Sequence, residues 1–234
     1  MTSRALSVLW IGPVHSTNVP LSEMQKDACT VVRSRPTDAI KCIAAFAPDI
    51  VAFEDSPFKR DGLNLCSRLA RATTSPVVVV SDTSDEETIV QAYRAGVADY
   101  LLLPLGTEEL RARLAAVARR YRCIAGSGNE NGCLTIGGLR VCPRDRRVSL
   151  GTRELQLTAT EFQLLLCLAR AAGTPVSHVQ LLETVWGPEY VDCRHYLRLY
   201  IRYLREKIED QPDQPELIVN TWGVGYRLNT ETLV

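Results

Sequence analysis

Histidine is scarce in this chain, three in 234 residues, and the eight cysteines (29, 42, 66, 123, 133, 142, 167, 193) are scattered, with no pair at metal-ligand spacing. Neither pattern suits a zinc or iron centre, so the sequence predicts no metal and no cofactor. The cysteines read instead as small buried hydrophobes in a reducing compartment. No run of about 20 apolar residues is present, so no membrane-spanning helix is expected. The opening MTSRALSVLWIG is too short and wrongly organised for a secretory signal, which predicts a cytoplasmic protein with no membrane partner. Charge of neither sign dominates, with 27 basic against 27 acidic side chains. Bulk charge therefore gives no hint of a nucleic-acid partner. One absence is local: no acidic residue precedes Glu23.

What is present implies two domains, because 234 residues exceeds the usual single-domain size. Apolar runs at 5–11, 50–53, 77–80 and 100–103, with a shorter one at 29–32, read as parallel strands buried on both faces. Helical stretches near 19–28, 37–47, 61–72, 84–96 and 107–121 separate them, with Ser84 and Glu87 in capping-box spacing. Strict alternation predicts an α/β fold, a five-stranded doubly wound parallel sheet over residues 1–122, whose ligand edge is formed by the strand carboxyl ends. Residues 123–131, CIAGSGNEN, are polar and aperiodic and read as a linker.

The remainder, 132–234, follows another pattern. Residues 133–157 alternate as short strands with glycine-containing turns. Thr158 with Glu161, and Ser177 with Gln180, then open two helices as capping boxes. A third helix around DCRHYLRLYIRYLREK carries two stripes. Leu197, Ile201, Leu204 and Ile208 form an apolar one; Arg194, Arg198, Arg202 and Arg205 form a basic one, with His195, Leu199 and Tyr203 on the outward surface. Guanidinium groups suit phosphates and guanine edges, and apolar surface suits a thymine methyl. A solvated basic flank is the plainer alternative. Residues 217–228 alternate around Gly223 and Gly225 as a hairpin does, and a helix of this kind followed by a hairpin makes a winged helix-turn-helix. Residues 123–234 hold 12 basic and 13 acidic side chains, so DNA affinity has to come from local concentration of arginine.

The ordered motifs Leu157-Thr158-Ala159-Thr160-Glu161-Phe162, Val185-Trp186-Gly187, Tyr203-Leu204-Arg205-Glu206-Lys207 and Gly223-Val224-Gly225-Tyr226-Arg227 resemble the DNA-binding domain of the OmpR/PhoB family of bacterial response regulators. Within it, Trp186-Gly187-Pro188 and His195-Tyr196-Leu197-Arg198 are similar to the potassium-responsive branch. The resemblance implies a transcription regulator that binds direct-repeat, double-stranded operators as head-to-tail pairs, with RNA polymerase a further candidate partner. The family's DNA contacts fall on Arg194, His195, Arg198, Leu199, Arg202, Tyr203 and Arg205. The wing-tip arginine of the family is Trp222 here, which has one donor and no charge. Trp186 reads as core.

The first domain resembles a receiver through Pro48-Asp49-Ile50-Val51-Ala52-Phe53, Asp61-Gly62, Pro76 to Ser81 and Ala95-Gly96-Val97-Ala98-Asp99-Tyr100. The resemblance implies aspartyl phosphorylation, yet the residues for it are missing. The metal-binding acids are replaced by Trp10 and Ile11, the phosphoacceptor position is Glu54, and the lysine position is Leu103. Only Ser81 and Tyr100 survive. The expectation is a regulator with no catalytic residue that acts without phosphorylation and dimerises through its receiver, by Arg94, Asp99, Glu109, Arg113 and Arg120. Two alternatives stand beside it: control by a small molecule or protein bound at the receiver, and conventional phosphorylation on Asp55 or Glu54.

Overall fold

The computed structural model describes residues 5–12, 21–25, 29–55, 60–123 and 132–231. The chain separates into two compact units, Met1–Tyr121 and Arg122–Val234. Most of the expected linker, 124–131, lies outside the described residues.

The first unit alternates β1 (Leu6–Ile11), α1 (Leu21–Met24), β2 (Cys29–Ser34), α2 (Ala39–Phe46), β3 (Ile50–Asp55), α3 (Arg60–Ala72), β4 (Val77–Ser81), α4 (Glu86–Arg94), β5 (Asp99–Leu102) and α5 (Thr107–Cys123). Its strands form one parallel sheet in the order β2-β1-β3-β4-β5. Helices on both faces bury the central strands completely, which is why Val77–Val80 and Ile50–Phe53 read as unbroken apolar runs. The strand order reverses between β1 and β3, placing the crevice of such a sheet at their carboxyl ends. Ile11 and Glu54 lie there. The start of α4 differs from expectation by one residue. Asp85 is the cap, accepting from the Thr88 backbone N–H at 2.8 Å and the Thr88 hydroxyl at 2.7 Å, where Ser84 was expected. A carboxylate accepts both donors at once, which a hydroxyl in that place does less well.

The second unit begins with an antiparallel meander, β6 (Leu134–Ile136), β7 (Leu139–Cys142), β8 (Arg147–Leu150) and β9 (Arg153–Leu155). Then come α6 (Ala159–Arg170), β10 (Val176–Ser177), α7 (His178–Val185), a single 3-10 turn at Pro188–Tyr190, α8 (Arg194–Ile208), β11 (Ile218–Thr221) and β12 (Gly225–Leu228). Both expected capping boxes form, Thr158 with Glu161 and Ser177 with Gln180. The expected hairpin is β11–β12, but β10 joins it as a third strand in the order β10-β12-β11. Two residues are too short a strand to leave a periodic signal.

The cysteines depart from expectation. Cys133 and Cys142 face each other across β6 and β7 and are joined in a disulfide; their Cα atoms are 4.1 Å apart. Nine residues separate them in sequence, and what pairs them is the antiparallel register, in which Leu134 opposes Val141.

The wing depends on a close backbone approach. A Cβ at Gly225 would lie 1.9 Å from the Val176 carbonyl oxygen and 2.9 Å from Ser177 Cα, both backbone atoms of β10. Gly225→Ala therefore forces β10 off β12 and should lower stability by about 3 kcal/mol. Urea unfolding of the two proteins measures this, and an unchanged midpoint would show that the approach is not constraining.

Candidate functional site

Helix α8 is built to be held on one side. Leu197, Tyr200, Ile201, Leu204 and Ile208 are all buried, packed on α6 and α7. Tyr200 stacks edge-on against Trp186 at 5.2 Å, and Trp186 is core, 1% exposed. The end of the helix is pinned twice. Glu209, a buried carboxylate, accepts from the backbone N–H groups of Glu216, Leu217 and Ile218 and so fixes the start of β11. Lys207 donates to the Gln156 carbonyl at 3.0 Å and pairs with Glu161, whose carboxylate completes the capping box of α6 with Thr158.

The opposite side carries the expected readers. Arg194, His195, Arg198 and Arg202 are exposed, and Leu199 and Tyr203 are half-buried beside them. Arg194 and Arg198 have no side-chain partner among the described residues, whereas Arg202 pairs with Glu206 at 3.0 Å on the surface. Arg205 is placed elsewhere. It donates twice to the Ile218 carbonyl, at 2.7 and 3.1 Å, and lies over the Tyr226 ring at 5.9 Å. Burial lowers its pKa, with Tyr226 and Glu209 opposing. Its guanidinium ties the helix to the hairpin; a helical wheel cannot show this, because β11 supplies the acceptor.

Trp222 stands at the hairpin tip, 94% exposed. The turn closes by the Val224 N–H donating to the Thr221 carbonyl at 3.0 Å, and Gly223 takes φ of 75°, a conformation open to glycine without penalty. So exposed, the indole is not packed on its own unit. Cys193, just ahead of α8, is a half-buried thiol whose pKa is raised by burial and by Asp192. It lacks the cationic setting of a reactive thiolate.

In the receiver-like unit the crevice is filled from within. Glu54 is 4% exposed and Trp10 1%, and the Trp10 indole N–H donates to Glu54 Oε2 at 2.8 Å. Gly12 makes room: a Cβ there would be 3.0 Å from Glu54 Cβ and 3.1 Å from Oε2. Sequence reading missed Gly12, since only the turn at the end of β1 brings it over Glu54. Ile11 is fully buried, so Trp10 and Ile11 are core and not the lining of an open apolar pocket. Ser81 is buried and accepts from the Thr83 N–H at 3.1 Å; Tyr100, 8% exposed, donates its hydroxyl to the Thr83 carbonyl at 3.0 Å. Leu103, where a receiver has lysine, is half-buried. The Asp55 side chain lies outside the described residues. These side chains do not fit Mg²⁺, which needs several oxygen ligands in octahedral array. Trp10 and Ile11 offer none, and Glu54 is committed to the indole.

The residues expected at a receiver dimer face divide. Arg94 is exposed, and Glu109 and Arg113 pair with each other along α5 at 2.9 Å. Asp99 is buried, accepting from the Tyr100 N–H at 2.8 Å and the Tyr93 hydroxyl at 3.4 Å, with Arg120 at 3.9 Å. Asp99 and Arg120 thus meet within one chain.

Replacing Trp10 by Phe leaves a buried carboxylate without its indole donor and should cost about 2 kcal/mol. Adding Glu54→Met removes the acceptor as well, so the double variant should be the more stable of the two. Thermal unfolding of both decides it; a double variant no better than Trp10→Phe means that the pair does not carry this energy.

A model of the response regulator receiver domain matches residues 21–115, and one of the transcriptional regulatory protein C-terminal domain matches 152–228. The transcriptional regulatory protein KdpE of Mycobacterium tuberculosis is 34% identical over 197 residues, covering 84% of this chain and 86% of that protein. The KDP operon transcriptional regulatory protein KdpE of Escherichia coli K12 is 34% identical over 180 residues, covering 77% and 79%. Among solved structures, a mutant of RitR superposes with a TM-score of 0.80 at 24% identity, covering 96% of this chain and 99% of its own, a likeness of fold alone. Fold, paired domains and identity to KdpE together place the chain in the OmpR/PhoB-type response regulators, as a transcription regulator with a receiver domain and a C-terminal winged-helix DNA-binding domain.

Proposed function

We propose that this chain is a sequence-specific transcription regulator that binds its operator without aspartyl phosphorylation. The observation that carries the reading is Glu54, which stands at the phosphoacceptor position, buried and hydrogen-bonded to Trp10. Phosphoryl transfer to a carboxylate requires that its oxygen reach an in-line phosphorus and that a metal and a cation neutralise the transferring group. Here the oxygen is held by an indole, and Leu103 replaces the cation. Ser81 and Tyr100 keep their places, each bonded to Thr83.

DNA is contacted by Arg194, His195, Arg198, Leu199, Arg202 and Tyr203 of α8 in the major groove, and Trp222 extends the surface at the wing. Arg205 acts behind them by fixing α8 against β11. A homodimer through the receiver, seated on a direct repeat, and contact with RNA polymerase belong to the same reading. Of the named dimer residues, Arg94, Glu109 and Arg113 are exposed.

Two outcomes test this. Incubation with Mg²⁺ and acetyl phosphate should leave the intact mass unchanged; a stoichiometric phosphoryl adduct on Glu54 or Asp55 that alters DNA affinity would falsify the phosphorylation-independent reading. On DNA, Arg198→Ala should cost about 1–3 kcal/mol and relax one base position if Arg198 reads a guanine edge, or lower the salt slope by about one unit if it holds a phosphate. Trp222→Ala should weaken binding with the salt slope unchanged, because indole carries no charge. Trp10 and Trp186 are both buried away from a DNA partner, so a fluorescence change on DNA addition that is lost in Trp222→Ala is assigned to Trp222. If folded Arg198→Ala and Arg202→Ala proteins both keep wild-type affinity, specificity and salt slope, α8 is not the reader.

A further inference from the structure

The DNA-binding unit carries a pair of cysteines, Cys133 half-buried and Cys142 buried, that its register sets opposite each other. We propose that Cys133 and Cys142 are a reversible thiol–disulfide clasp, closed by exchange with a low-molecular-weight disulfide, that holds β6 on the amino-terminal sheet of this unit. The placement is a consequence of register: Leu134 opposes Val141, so the next pair outward is Cys133 and Cys142. They close the open end of a hairpin whose other end is the Gly137-Gly138 turn.

The strand so clasped is weakly held by everything else. β6 has three residues, stands at the edge of the sheet and pairs with β7 alone. None of its side chains is buried: Leu134 and Ile136 are half-buried, and Thr135 is exposed. A three-residue edge strand has few ladder hydrogen bonds and one neighbouring strand to hold it. Cross-linking the two strands removes freedom from the open state, so the clasp acts on the element where it changes most.

The site also suits exchange chemistry. Cys133 is half-buried and lines an open cleft with Arg140, Cys142, Asp145, Arg147 and Glu154. Arg140 Nη2 is 3.8 Å from the Cys133 sulfur, and a guanidinium beside a sulfur favours its thiolate. Arg147 is exposed, 4.0 Å from Glu154. The free thiols of Cys29, Cys167 and Cys193 stand in contrast, each with its pKa raised by burial.

Closure proceeds by two exchanges. One protein thiolate attacks the small disulfide, forming a mixed disulfide and releasing one small thiolate. The other protein thiolate then attacks the protein sulfur of that mixed disulfide, forming the Cys133–Cys142 bond and expelling the second. Two protein thiols are oxidised and one small disulfide is reduced to two thiols, the two protons lost by the protein thiols being taken up by the two expelled small thiolates. Opening is the reverse.

Oxidised and reduced glutathione in graded ratio, applied to the full-length protein, provide the test. After acid quench, alkylation and peptide mapping, Cys133 and Cys142 should become protected together at oxidising ratios and be released together at reducing ones. Amide exchange over residues 134–136 should rise about tenfold or more on release, while α6 stays unchanged. Cys133→Ser should exchange at the released rate at every ratio and leave Cys142 carrying a glutathione adduct under oxidising conditions. Three results overturn the proposal: both thiols alkylating freely at every ratio, protection that persists in the folded protein under excess reduced glutathione, or β6 exchange that ignores the state of the pair.

Discussion

Burial of one side of α8 is the constraint around which the DNA-binding domain is organised. Five large side chains of that helix are removed from water, and each such burial is worth roughly 2 kcal/mol. That sets the rotation of the helix, and the rotation in turn sets which arginines face outward. Polar contacts then fix its position along the axis. Arg205 reaches the Ile218 carbonyl, Glu209 gathers three N–H groups at the start of β11, and Lys207 returns to the cap of α6. The surface residues Arg194 and Arg198 are left without internal duties because their neighbours took those duties.

A similar economy operates in the receiver. A carboxylate at position 54 is buried, and a buried polar group is costly unless hydrogen-bonded. Trp10 offsets that by donating its indole N–H, and Gly12 supplies the space in which donor and acceptor meet. Among the described residues, Trp10, Ile11 and Glu54 at these strand ends are all buried. Asp99 follows the same logic, with Tyr93, Tyr100 and Arg120 satisfying it inside one chain.

Much of this was legible in the sequence because it rests on local periodicity. The all-apolar runs of the parallel sheet, the two capping boxes, the two stripes of α8 and the glycine-centred wing follow from spacings of two, three and four residues, which backbone geometry alone enforces. The positions of Trp10, Ile11, Glu54 and Leu103 could be counted in the same way, between recognisable motifs of the first domain. Two local readings missed. The cap of α4 moved from Ser84 to Asp85, and β10 was too short to leave a pattern.

What tertiary structure decided is pairing between residues far apart in the chain. Arg205 and Arg198 are the same residue type on the same helix, yet one spans 13 residues to a carbonyl and the other faces solvent. Trp10 meets Glu54 across 44 residues, and Cys133 meets Cys142 only once antiparallel register sets them opposite. The sequence by itself determined which residue types were available, on which element and with what periodicity. Whether a given charge, indole or thiol is spent inside the protein or left for a partner depends on which atoms come within about 3 Å of it, the range over which a hydrogen bond forms. Chain folding sets that distance, and no spacing along the sequence encodes it.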